Sequence, residues 1–116
     1  VYRIYCSFNH LKEIHAIDVV YISCSNNFVD ELNLPNAETI ICCNSGLKNL
    51  IVPKVKVLDC RNNDLTLLTA PEATHVKCQN NKIIHLQILL IHQDARILIR
   101  ELEIVKIMAV ALMRLW

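Results

Sequence analysis

The chain reads as a repeat solenoid, a coil of five short turns with a parallel β-sheet along one face. Three observations carry that reading. Cys6, Cys24, Cys42, Cys60 and Cys78 stand eighteen residues apart. Pro35, Pro53 and Pro71 keep the same step. Three apolar columns keep it too. They are Ile4, Ile22, Ile40, Leu58 and Val76; Leu11, Val29, Leu47, Leu65 and Ile83; and Ile14, Leu32, Leu50, Leu68 and Leu86. A turn so short cannot bury an apolar face alone, so it must stack on its neighbours.

The turns run over 1–18, 19–36, 37–54, 55–72 and 73–90. Each opens on strand periodicity. In V-L-D-C-R, Leu58 and Cys60 alternate with Val57, Asp59 and Arg61, so every second side chain points inward. I-Y-C-S and H-V-K-C-Q repeat this in the first and fifth turns. Stacked about 4.8 Å apart, the strands form a parallel sheet on a rod about 24 Å long. Asn9, Asn27, Asn63 and Asn81 follow the strands, with Ser45 in the third turn. An amide donates and accepts at once, so it can satisfy backbone groups where the chain leaves the sheet. Asn62, one place earlier, is expected outward and tolerant of change. The prolines are expected to fix an extended return strand on the convex side.

Beyond Lys82 there is no Asn, Cys, Pro or Gly. Asp94 and Arg96 fall at inward places of a sixth turn, so the repeat stops. Residues 94–116 read as helix: Leu98, Leu102, Val105, Ala109, Leu112 and Trp116 share one face. The unit 91–116 is expected to cap the last turn. Its final stretch, apolar nearly all round, also suits an interface with another chain or a sequence end foreign to the array. Val1 opens a repeat with no initiator Met, so an excerpt from a longer array, or a lost cap, is expected.

With its start at Val55, the fourth turn reads V-xx-L-x-C-xx-N-x-L-xx-L-xx-P. This resembles the leucine-rich repeat, L-x-x-L-x-L-x-x-N/C-x-L. The second and third turns follow it through Val19, Ile22, Cys24, Asn27, Val29 and Leu32, and through Ala37, Ile40, Cys42, Ser45, Leu47 and Leu50. The match spans about 90 of the 116 residues. Two features depart from it. The period is shorter than the family's roughly 20–29 residues, and cysteine takes an inward place where leucine is usual. In both, the chain is similar to short repeats of bacterial effectors and some large DNA viruses. The resemblance implies a concave sheet, extended convex returns, and protein binding on the concave face. A left-handed β-helix of hexapeptides also closes in eighteen residues. Ile22, Phe28, Leu34, Ile40 and Val52 fit it, but Gly46, Asp64 and Lys82 break the series, and tight corners need more glycine than this chain has.

A net charge of +1 with mixed signs gives no field that attracts nucleic acid or an anionic membrane, so neither is expected as a partner. No signal peptide and no uncharged run of membrane length is visible. The cysteines lack C-x-x-C pairs and histidines at ligand spacing, so no metal is expected. Parallel Cβ vectors also make poor disulfides. A core of free thiols suits a reducing, intracellular compartment rather than secretion. Cys43, next to Cys42, points the other way. It offers a possible thiol nucleophile, though nothing near it in the sequence would activate it. One glycine excludes phosphate-binding loops; G-x-S-x-G and H-E-x-x-H are missing; and His10, His15, His75, His85 and His92 occupy unlike places. Neither an enzyme nor a cofactor is expected.

What varies is the outward side of the strands, in columns Arg3, Tyr21, Thr39, Val57, His75; Tyr5, Ser23, Ile41, Asp59, Lys77; and Ser7, Ser25, Cys43, Arg61, Gln79. The inward places repeat while these change, as on a scaffold carrying a chosen surface. Tyr5, Tyr21, Ile41, Cys43, Val57, Asp59, Arg61, His75 and Lys77 are therefore the candidate contacts for another protein. The competing reading is ordinary solvated strand residues. A structural role, through open solenoid ends and the apolar C-terminal segment, is the alternative function.

Overall fold

The computed structural model describes residues 2–83 and 85–88, the last four by their backbone only. The expected helix and cap of 91–116 lie outside the described residues. Each turn carries two short strands. The first face holds β1 (Tyr2–Tyr5), β3 (Val19–Ser23), β5 (Thr39–Ile41), β7 (Val57–Asp59) and β9 (His75–Lys77). The return holds β2 (Glu13–His15), β4 (Glu31–Asn33), β6 (Asn49–Ile51), β8 (Leu67–Ala70) and β10 (His85–Ile88). All pairings are parallel and, apart from Tyr2 with Val19 at the start of β1, keep the eighteen-residue step, as in Tyr21↔Thr39↔Val57↔His75. The chain is a parallel β-solenoid of stacked coils.

The inward columns meet in one continuous core. Ile22, Cys24, Ile40, Cys42, Leu58, Cys60, Val76 and Cys78 are buried from the first sheet, and Leu50 and Leu68 from the return. The six cysteines are free, and four of them are buried. Burial pushes Cys24 up to about 12 and Cys42 well above the ordinary thiol range. Phe28, inward in a hexapeptide register, is 69% exposed, so the burial pattern does not follow that rival.

The prolines do not lie in the return strands. Pro35, Pro53 and Pro71 each begin a two-residue turn just after them. The amide of Ala37 reaches the Leu34 carbonyl, and that of Ala73 the Ala70 carbonyl at 3.1 Å, closing a β-turn with proline second. Its fixed φ suits that place, and its missing N–H is not needed there.

A column that periodicity alone did not explain is conformational. Phe8, Asn26, Asn44, Asn62 and Asn80 all have φ between 51° and 59°. Asparagine enters this left-handed region more easily than other non-glycine residues. Asn62 is outward, as expected, yet its backbone makes it sensitive to change. The Asn44 amide also donates to Asn26 at 2.8 Å, and Asn80 to Asn62 at 2.7 Å.

The next column ties turn to turn. Asn63 Nδ2 donates to the carbonyls of Cys60 in its own turn and Cys42 in the turn before, at 3.0 and 2.9 Å. Its Oδ1 accepts the Ser45 and Leu47 amides. Asn27 and Asn81 repeat the pattern, accepting from Leu11 and Leu65. Ser45 is too short to do so. Instead its backbone carbonyl accepts the Val29 amide at 2.9 Å, and Gly46 follows at φ 69°. At this junction the return ladder is interrupted: β2 pairs β4, and β6 pairs β8 and β8 pairs β10, but β4 and β6 do not pair.

Candidate functional site

The outward residues of the five-stranded sheet fall into two clusters joined by a plainer middle. Period-two alternation along short, flat strands is what places them on one side. At the first cluster, the Tyr5 and Tyr21 rings lie 5.4 Å apart at 44°. Register places Arg3 beside Tyr21, and its guanidinium sits 5.4 Å from that ring's centre, within cation–π range. Tyr5 is 68% exposed. Ser7 and Ser23 hydroxyls meet at 3.2 Å beside them.

The second cluster joins Cys43, Asp59 and Arg61. Arg61 grips the Asp59 carboxylate with two parallel bonds, Nε to Oδ1 and Nη2 to Oδ2, both 2.8 Å. The Cys43 thiol donates to the same Oδ1 at 3.0 Å. Partial burial alone would raise the Asp59 pKa, but the bonds from Arg61 and Cys43 and the guanidinium charge outweigh it and hold it below the ordinary value. Burial, then the carboxylate, raises the Cys43 pKa, and the guanidinium offsets only part of that rise. A nucleophilic thiol needs the opposite shift. The same contacts push Arg61 upward.

Between the clusters, Ile41 is half-buried, and Val57 is exposed. His75 and Lys77 lie exposed at the far strand, where the Thr74 hydroxyl meets His75 Nδ1 at 2.9 Å. The expected contacts thus share one sheet face, where a tilted ring contact joins Tyr5 with Tyr21 and hydrogen bonds join Cys43 and Arg61 to Asp59. Sequence reasoning missed the part of Arg3. Its column mate Tyr21 was the available signal, since the eighteen-residue step makes Arg3 and Tyr21 ladder partners.

Fold and surface together define a class, the parallel-strand repeat solenoid with a varied sheet face. Comparisons with family models, curated proteins and solved structures find no match. Among the described residues no helix is long and apolar enough to cross a membrane.

Proposed function

We propose that the chain is a short leucine-rich repeat solenoid that works as a non-enzymatic, intracellular protein-binding module through its five-stranded sheet. One observation carries the reading: the inward columns repeat Ile/Leu/Val and Cys, while the outward places of the same strands carry unlike residues, with exposed aromatics at one end. Tyrosine and arginine supply large contact area and tend to dominate binding energy. Arg61 contributes shape more than free charge, because Asp59 already neutralises it. The binding energy is therefore assigned to Tyr5 and Tyr21. Free thiols in the core favour a reducing compartment.

The test is capture of partners from native extract by the intact chain, repeated with Tyr5→Ala, Tyr21→Ala and the return-face control Lys48→Ala. Each tyrosine change should weaken a captured partner by more than about 1 kcal/mol with little change in melting point. Lys48→Ala should leave binding intact. A partner indifferent to every sheet-face change, but lost on deleting residues 94–116, would favour the assembly role instead.

A further inference from the structure

We propose that Glu13, His15 and Glu31 form a surface site for a divalent first-row metal ion of the zinc class, which clips the first turn to the second. The three side chains come from neighbouring return strands. In the β2–β4 ladder Glu13 stands directly opposite Glu31, and His15 follows Glu13 by two residues, on the same face. His15 Nε2 lies 4.0 Å from Glu13 Oε2 and 3.8 Å from Glu31 Oε2. One ligand atom from each lies within 4.8 Å of the others.

Tetrahedral zinc, with bonds of about 2.0–2.2 Å, holds its ligand atoms roughly 3.4 Å apart. The three atoms therefore need to close by about 1 Å, a change that exposed side chains reach by rotation about their own bonds. One imidazole and two carboxylates suit zinc, cobalt or nickel better than calcium or magnesium, which favour oxygen alone. The fourth position faces solvent and is left to water.

The imidazole separates this group from an ordinary acidic patch, and the ladder supplies a reason for an ion. Like charges directly opposite across a strand pair repel. Here two carboxylates are held opposite each other by backbone register, in a two-stranded ladder cut off from the rest of the return sheet. A divalent ion replaces that repulsion with two attractive bonds, at the part of the return with the least support. Of the six thiols that could compete, four are buried, half-buried Cys6 packs against the core, and Cys43 is turned to the opposite sheet.

The full-length, reduced protein is stripped of metal and titrated with zinc chloride by calorimetry, with a parallel titration by cobalt chloride followed by absorption. The expected result is one saturable ion per chain, with a melting temperature raised by roughly 5 °C or more at hundredfold excess over Kd. Cobalt should give weak visible bands and no thiolate-to-metal band. His15→Ala should abolish the event, and Glu31→Gln should weaken it at least about tenfold. Both variants should keep the circular dichroism of the parent, since the side chains are exposed. Absence of saturable binding, binding unchanged in His15→Ala, or a thiolate band with cobalt each overturns the proposal.

Discussion

The carbonyl oxygen of Ser45 accepts the amide of Val29 at 2.9 Å, a bond that an asparagine side chain makes at the equivalent places in neighbouring turns. The only glycine of the chain follows at once, at φ 69°. No atom lies within 4 Å of where a Cβ on Gly46 would stand. Gly46→Ala should therefore cost only the left-handed strain, about 1–2 kcal/mol, and Gly46→Asn less. Urea unfolding of the pair checks this. Equal costs would mean that crowding, not backbone conformation, sets the preference for glycine.

Asn63→Ala should cost about 1–3 kcal/mol, because backbone groups in two turns lose their partner inside the core. Asn62→Ala should cost about 1 kcal/mol for a different reason, its φ of 59°. The discriminating variant is glycine. Asn62→Gly should recover most of the loss, whereas Asn63→Gly should not. The unfolding midpoints of the four variants decide between a conformational role and a hydrogen-bonding role at each place.

Cys60→Ser should cost about 1–3 kcal/mol, since a hydroxyl replaces a thiol among apolar neighbours. Cys60→Ala should be milder. In the native protein, a thiol-specific reagent should modify only the half-buried Cys6 and Cys43 promptly. Prompt labelling of Cys42 or Cys60 would contradict a closed core. A Cys42–Cys60 or Cys60–Cys78 disulfide in mass spectra of native protein would contradict the free-thiol ladder.

Asp59 should link stability to acid. Its folded pKa lies below the ordinary 3.8, so the unfolded chain binds the proton more tightly. Its contribution is complete above that unfolded value and is lost as pH falls through the folded one. Stability against urea should therefore drop on acidification below about pH 4. Asp59→Asn should flatten that part of the curve. Arg61→Ala, which leaves a partly buried carboxylate without its partner, should lower neutral-pH stability. For that reason it is a poor reporter of binding.

Much of the fold was legible in the sequence because a stacked turn places the same demand on the same position every eighteen residues. Ile22, Cys24 and Leu50 announce the core through their column mates, and Asn27 and Asn63 announce an amide that satisfies the backbone where the chain leaves the sheet; its reach into the turn before is visible only in the structure. Residues whose role depends on backbone angle were harder. Asn26, Asn44, Asn62 and Asn80 form a column as regular as the cysteines, but of these only Asn62 carries an expectation from the sequence, as an outward residue, and nothing in polarity reveals the backbone angle. Pro35 and Pro71 fit an extended return strand as well as a turn, since both need the same φ from proline, and the structure puts them in the turn. Contacts between unlike residues in neighbouring turns were the least visible. Arg3 over Tyr21 follows from register within one column, and His15 against Glu31 from comparing two neighbouring columns of one face.

The asparagine clip has a direction. Asn27 donates to Cys6, Asn63 to Cys42 and Asn81 to Cys60, always twenty-one residues upstream. A chain emerging from the ribosome therefore meets each docking carbonyl in a segment that has already left. Every fresh coil can fasten to a finished one without waiting for sequence still to be made. The short span of each fastening limits contact order among the described residues, whose strands all pair in parallel. Synthesis and assembly advance along the rod in the same sense, like a zip drawn from the amino end.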